Sequence, residues 1–395
     1  MDVDWTLESA MRISKFEVFP LSIAYKHNEV SSIINRGGVS DVITKITADN
    51  GLVGWGECCT PGDTASVEDA ARSAGPFLLG RDPWNKEAIA LEFYIHGNWQ
   101  FQAMTGNFAF AGIDMALWDL CGKECGQPLY RFFGGAVRNE VDYFYYLEWA
   151  DEQGMVAQCR DGLNRGYSVF YLKIGVDEQR EEAMVAAIRQ TIGTEGKIRL
   201  DVNQSWSLPQ AARVLGRWHE RYNLDFVEAP VPVDPVENML DLKRRVTVPL
   251  CVNEGLWREA DAMRVINSRC ADYLCISQYW VGSLRRLHTI IHAANASGQL
   301  ICKHTHGEYG IAAACGQHMM LAAPNACDGH QQTAQLMKDD ILKERIPIAD
   351  GPKWGLITGP GLGVEVDEDK VKAYHEAYLR QGEYVTFGEG FKRRR

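Results

Sequence analysis

Ile198-Arg199-Leu200-Asp201, Phe226-Val227-Glu228 and Leu250-Cys251-Val252-Asn253-Glu254 are the stretches that decide the fold. Each is a short apolar run ending in a carboxylate, and each leads into a segment of helical pattern. One strand-plus-helix unit separates each from the next. The same beat continues on both sides. Strand-like runs stand at 141–148 and 169–174 before the trio, and at 273–277, 300–304 and, more weakly, 326–329 after it. Amphipathic stretches at 181–190, 209–221 and 284–296 lie between them. Seven or eight such units in roughly 200 residues predict an α/β fold of the (β/α)-barrel kind. A doubly wound sheet is the rival. It would offer a glycine-rich phosphate turn after its first strand, and none is present. Gly359-Pro360-Gly361-Leu362-Gly363 lacks a flanking strand and helix and reads as a turn.

In a parallel barrel the C-terminal strand ends share one mouth, so Asp201, Glu228 and Glu254 converge there. Three oxygen-ligand acids at one place make a hard-cation site, above all for Mg2+. The plain alternative is three ordinary strand-end or helix-cap acids. Side chains two apart on a strand share a face. Tyr171 and Lys173 therefore point the same way, as do Asp201 and Asn203, and Cys302, His304 and His306. Strand order sets Lys173 beside Asp201 and His304 further round the ring. A lysine and a histidine on opposite sides of a cation suit abstraction of a proton next to a carboxylate. The enediolate so formed carries extra charge that a divalent cation stabilises. Lys173 is the base if the nearby cation lowers its pKa, and His304 is a second acid or base. Against this, Lys173 reads plainly as a salt-bridging barrel lysine. His304-Thr305-His306 is a conceivable zinc pair, but no third nitrogen or sulfur ligand is obvious.

Residues from about 11 to 56 have strand character, with Asp49-Asn50-Gly51 as a hairpin turn. The stretch 67–123 is helical in pattern, and 111–119 within it looks buried. Strands followed by helices predict an α+β first domain. The segment from about 364 to 390 carries strand and helix signals and returns to that domain. The expected division is 11–135, 136–350 for the barrel, and 351–395.

The 395 residues carry a net charge of −11, which argues against nucleic acid or a membrane surface as partner. The basic end, Lys392-Arg393-Arg394-Arg395, reads as a solvated tail, and residues 1–10 as an extension without a signal-type core. No apolar run is long enough to span a bilayer. Eleven cysteines without framework spacing suggest reduced thiols in a cytoplasmic protein. A symmetric homo-oligomer is the default expectation.

Further motifs fill nearly the whole chain. Ala111-Gly112-Ile113-Asp114-Met115-Ala116-Leu117-Trp118-Asp119 precedes Gly126-Gln127-Pro128-Leu129-Tyr130. Phe170-Tyr171-Leu172-Lys173-Ile174-Gly175, Asp201-Val202-Asn203, Val227-Glu228-Ala229-Pro230 and Asn253-Glu254 follow, and then the 359–363 turn. Together these resemble the enolase superfamily, in its mandelate racemase and muconate lactonising branch, from about residue 11 to 384. The resemblance implies an enolase-type barrel under an N-terminal α+β capping domain, Mg2+, and proton abstraction alpha to a carboxylate. It implies catalytic roles for Lys173, His304 and Tyr171, and metal ligation by Asp201, Glu228 and Glu254. It also implies that the 26–38 loop, with His27, Asn28, Arg36 and two serines, closes over the substrate. His27 and Arg36, with Asn203, His306, His330 and Ser277, are the expected substrate contacts.

Three departures bear on the reaction. The family often has Lys-x-Lys on the second strand, and here Tyr171 takes the first place. Lys173 then relies on the metal and burial for a lowered pKa, or Tyr171 takes part itself. Ser277 stands where relatives carry an Asp for the histidine or a second lysine, so His304 lacks its usual carboxylate orienter. His330 aligns where relatives often place a Glu. One base and one acid suffice for dehydration, so the expected enzyme is a Mg2+-dependent hydro-lyase acting on a small carboxylate, a sugar acid or hydroxy acid. A racemase or epimerase is the alternative, and a non-catalytic carboxylate-binding protein a further one.

Overall fold

The computed structural model describes residues 11–60, 62–97, 101 and 104–384. The expected N-terminal extension and the basic end lie outside the described residues. Three antiparallel strands come first: β1 (Ile13–Val30), β2 (Asn35–Ala48) and β3 (Val53–Cys58). The β2–β3 turn uses Gly51 at φ +84, a left-handed position that glycine adopts without strain. Helices α1 (Thr64–Arg72), α2 (Gly75–Leu78), α3 (Lys86–Gly97) and α4 (Thr105–Glu124) follow. The buried α4 lies directly on β3 because both surfaces lack side chains at the crossing. A Cβ on Gly56 would stand 1.8 Å from the Gly112 carbonyl oxygen, and one on Gly112 would stand 2.3 Å from Cys58 Sγ.

The segment 26–38, expected as a loop, is instead the end of β1 and the start of β2 around a tight turn at 31–34. Ser31 makes that turn: its Oγ accepts the amides of Ile33 and Ile34. The β1–β2 register shifts between Ala24 and Glu29, and beyond it Glu29 pairs with Arg36.

The next strand-like run divides. β4 (Glu140–Asp142) pairs with a later strand outside the barrel, and β5 (Tyr145–Leu147) opens the barrel. Then alternate α5 (Glu152–Asn164), β6 (Val169–Lys173), α6 (Glu178–Ile192), β7 (Lys197–Asp201), α7 (Leu208–Tyr222), β8 (Phe226–Glu228), α8 (Glu237–Lys243) and β9 (Leu250–Val252). The alternation continues with α9 (Glu259–Ser268), β10 (Tyr273–Ile276), α10 (Gln278–Val281), α11 (Leu284–Ala296), β11 (Leu300–Lys303) and α12 (Gly310–Ala322). Several helices begin at a side chain that accepts a first-turn amide: Asp151, Asp177 and Ser283 cap α5, α6 and α11. Such caps contribute about 1 kcal/mol each.

β5 to β11 form one parallel sheet in chain order. Residues 325–331 supply the eighth strand and close it. Cys327 N donates to Ile301 O and Gln331 N to Lys303 O on one side. His330 N donates to Asp142 O, and Phe144 N to His330 O, on the other. The lower barrel interior is filled by Phe226, Cys251, Cys275 and Cys302, with Cys327 against them, so the barrel is a packed core rather than a pore. All eleven cysteines are free.

After the barrel, β12 (Lys353–Gly355) pairs with β4, and α13 (Glu368–Gln381) packs on β1, where His375 Nδ1 meets Pro20 O at 2.9 Å. Asp119 of α4 joins three parts of the chain. It accepts the amides of Trp55 and Leu362 at 2.9 and 2.8 Å and pairs with Lys123. The 359–363 turn is thereby fastened to the first domain.

Candidate active site

Lys173 is the last residue of β6 and stands in register with Asp201, which stands in register with Glu228. The loop after Lys173 is tied to α6: Glu181 Oε1 accepts three successive amides, Gly175 to Asp177, at 2.6–3.0 Å. Lys173 Nζ lies 2.6 Å from Asp201 Oδ2 and 3.3 Å from Asn203 Oδ1. Tyr171 OH donates to the same Asp201 oxygen at 2.7 Å. Asn203 Nδ2 donates to Glu254 Oε1 at 3.2 Å, and Gln331 Nε2 to Glu228 Oε2 at 2.6 Å. Glu228 Oε1 and Glu254 Oε2 are buried and have no hydrogen-bond partner among the described residues.

The electrostatics follow. Burial, then the Asp201 charge, pushes Glu228 well above the usual carboxylate range and Glu254 up to about 7. Burial pulls the Lys173 ammonium down, but Asp201, Glu29 and Glu228 raise it more, so its net shift is upward. Tyr171 is held protonated by burial and by Asp201. Buried carboxylate oxygens without donors are costly. An all-oxygen set with two such oxygens suits a hard divalent cation, so these residues fit Mg2+. Tighter clusters, with donor atoms within 4.8 Å of one another, occur at Asp41/Glu57/Cys59, Glu228/Cys251/Cys275 and Cys302/Cys327/His330. The strand-end trio is more open, with the Lys173 ammonium seated on Asp201.

The opposite wall is neutral and aromatic. His304 follows β11, and its amide donates to Ile276 O at 3.2 Å. Its Nδ1 accepts from Trp280 Nε1 at 3.0 Å and lies 3.1 Å from Tyr279 OH. Its Nε2 has no partner among the described residues. Burial, then His306 and Lys173, pushes the His304 pKa well down. The His306 ring sits among Phe108, Tyr279 and Trp280, with centroids 4.7–5.5 Å away. Phe108 comes from α4, so the first domain helps build this wall. The β1–β2 turn covers the mouth: Ser32 Oγ donates to Val202 O at 3.1 Å.

Residues 23–134 match the family model "Mandelate racemase / muconate lactonizing enzyme, N-terminal domain", and residues 154–370 match "Enolase C-terminal domain-like". The chain belongs to the enolase superfamily, in its mandelate racemase/muconate lactonizing branch. It is similar to an N-succinyl-L-Arg/Lys racemase of Bacillus cereus, 24% identical over 92% of this chain and 97% of that one. It is also similar to a D-galactonate dehydratase of Pectobacterium atrosepticum, 29% identical over 83% and 89%. An enolase from Thermobispora bispora, solved with magnesium and formate, shares the fold with TM-score 0.87, at 24% identity over 95% and 96%. The chain is an enzyme of this superfamily, whose members here are dehydratases, racemases and epimerases.

Of the residues singled out from sequence, this enolase-superfamily site brings together Tyr171, Lys173, Asp201, Asn203, Glu228 and Glu254, with His304 and His306 on the far wall. Four others have no hydrogen bond or ion pair to the three acids. His27 is exposed on β1, near Glu148 and Lys26 at the rim. Arg36 reaches the mouth but is buried against Glu29 at 2.9 Å, and its other nitrogen donates to the His306 carbonyl. Ser277 is fully buried and donates its hydroxyl to the His304 carbonyl, so it supports the histidine from behind. His330 faces Cys302 and Cys327, with Nδ1 accepting the Lys303 amide at 2.9 Å. The eighth-strand residue that reaches the acids is its neighbour Gln331. Gln331, Tyr279, Trp280 and Glu29 were missed from sequence. Only Gln331 had a signal, one step from His330 on the same weak strand.

Proposed function

We propose that this enzyme removes the proton alpha to the carboxylate of a small acid, with Lys173 as base, and that the outcome is dehydration of a sugar acid or hydroxy acid. One observation carries the reading. Lys173 Nζ sits on Asp201 beside the partnerless oxygens of Glu228 and Glu254, and His304 offers a free Nε2 from the other wall. Asp201, Glu228 and Glu254 would hold Mg2+. When bound, Mg2+ offsets the carboxylate charge that keeps Lys173 protonated and stabilises the negative charge that builds on a substrate carboxylate.

The chain's own residues do the rest. Tyr171 and Lys173 fix the Asp201 carboxylate, Gln331 fixes Glu228, and Asn203 links Lys173 to Glu254. Lys173 takes the alpha proton, and His304 Nε2 gives a proton to the departing beta hydroxyl. The β1–β2 turn is held over that space by the Ser32 bond to Val202. The free thiols suit a reducing compartment such as the cytoplasm.

Racemisation or epimerisation is the second reading, favoured by the similarity to the Bacillus cereus racemase. It asks His304 to accept a proton as well as give one. The deciding experiment is a screen of sugar acids, hydroxy acids and amino acids with Mg2+ in deuterated water, followed by proton NMR. A 2-keto product from one acid, lost in Lys173→Met, is the expected result. Alpha-deuterium exchange without elimination would move the assignment to the epimerase. No turnover of any acid would count against both.

A further inference from the structure

His304 lacks a carboxylate partner, and an indole stands in that place. An indole N–H donates and never accepts. With Trp280 Nε1 at 3.0 Å, Nδ1 of His304 has to be the bare acceptor. A neutral imidazole carries one proton, which then resides on Nε2. Moving it to Nδ1 would set two N–H groups against each other. Trp280 is in no position to turn away. Asn107 Nδ2 holds its carbonyl at 2.7 Å, and its ring lies against Trp257 and Phe108 at 4.4 and 5.7 Å. Tyr279 OH also reaches Nδ1, but a hydroxyl both donates and accepts, so Tyr279 alone fixes no tautomer.

We infer that Trp280 is a positioning residue that fixes His304 as the Nε2–H tautomer, so that His304 gives a proton to the substrate and takes none from it. This rests on the reading above, with the substrate between Lys173 and His304. Burial, then His306 and the ammonium groups of Lys173 and Lys303, add to it, because they disfavour a second proton on the ring. A neutral imidazole is a competent donor when its far nitrogen is stabilised. Here the Trp280 N–H faces Nδ1 and stabilises the ring as Nε2 lets go, while the Tyr279 hydroxyl donates to the His304 carbonyl at 3.0 Å.

The step balances. Lys173 takes the alpha proton, and the C–H electron pair becomes the new carbon–carbon double bond. The beta C–O bond breaks with its pair on oxygen, the Nε2 proton joins that oxygen, and water leaves. Lys173 returns its proton to solvent, the ring regains one, and the enol relaxes to the 2-keto acid. Proton traffic at the alpha carbon is confined to the Lys173 face, which excludes the second base that racemisation needs.

The test is 15N NMR of full-length protein labelled on histidine, with Mg2+ and without substrate, the His304 signals assigned by their loss in His304→Gln. An unprotonated Nδ1 and a protonated Nε2 are expected. In Trp280→Phe the proton is expected to divide between the two nitrogens, whereas Tyr279→Phe keeps the original tautomer. With the acid found in the screen, Trp280→Phe should lower kcat by about 10–100-fold with KM little changed. A protonated Nδ1 in the wild type overturns the inference, as does an unchanged tautomer in folded Trp280→Phe. If that variant does not fold, the wild-type signals still decide. Because the tautomer is read without substrate, its failure and a silent acid screen are separate results.

Discussion

On one side of the barrel mouth stand Lys173, Asp201, Glu228 and Glu254; on the other stand His304, Tyr279, Trp280 and His306. The first wall is charged. Its members end β6, β7 and β8 or follow β9, and its acids keep oxygens without donors. The second wall is uncharged and ring-lined, and burial pushes both histidines toward the neutral form, His306 to about 3. The asymmetry matches a reaction that removes a proton on one face and donates one on the other.

The sharpest way to break this comparison is to remove the base. Lys173→Met should reduce alpha-proton exchange and product formation by about 10²–10⁴-fold while leaving the fold intact. Proton NMR in deuterated water and circular dichroism check the two halves of that statement, and retained exchange would move the base elsewhere.

The next effect concerns charge on the first wall. Glu254 is raised to about 7, above its unfolded value, by burial and Asp201. Its folded form therefore holds its proton more tightly than the unfolded form does, and deprotonation costs stability. That cost is absent below the unfolded carboxylate range and is complete above about pH 7. Without Mg2+, the melting temperature should drop across that window. The gain on adding Mg2+ should be larger at pH 8 than at pH 5, read by scanning calorimetry. An equal gain at both values would contradict cation binding at these acids.

Gln331→Leu leaves Glu228 Oε2 without its donor and should weaken Mg2+ binding by about tenfold, read by isothermal titration. His330→Asn should leave that affinity unchanged, because His330 touches none of the acids. The smallest effect belongs to the cover. Ser32→Ala loses one partly buried hydrogen bond to Val202, worth about 0.5–1.5 kcal/mol, and should raise KM a few-fold while sparing kcat.

The two walls also differ in how far they could be read from sequence. Lys173, Asp201 and Glu228 were legible because a strand fixes where its last side chain points, and parallel neighbours repeat that direction. Leu284–Ala296 was legible as a helix by its apolar spacing. Trp280 was not, since its indole reaches His304 only through the short α10 and the grip of Asn107 from α4. His330 was named rather than Gln331 because it aligns where relatives often place a Glu. The eighth strand is irregular there, with Gly329 at φ +57 just before the pair. Arg36 looked free because nothing local announces that the register shift in β1 brings Glu29 to it. Interior positions on regular strands follow from periodicity, and contacts made by turns and by the first domain do not.

Asp119 joins Trp55, near the start of the chain, to Leu362, beyond the whole barrel, and α13 then lies along β1. The barrel is thus an insertion within the domain that covers it. On a ribosome the three cap strands emerge first, yet they wait for α13 until every barrel strand has been made. The cover of the site is therefore begun first and completed last, and a nascent barrel would present its open mouth before the finished cap encloses it.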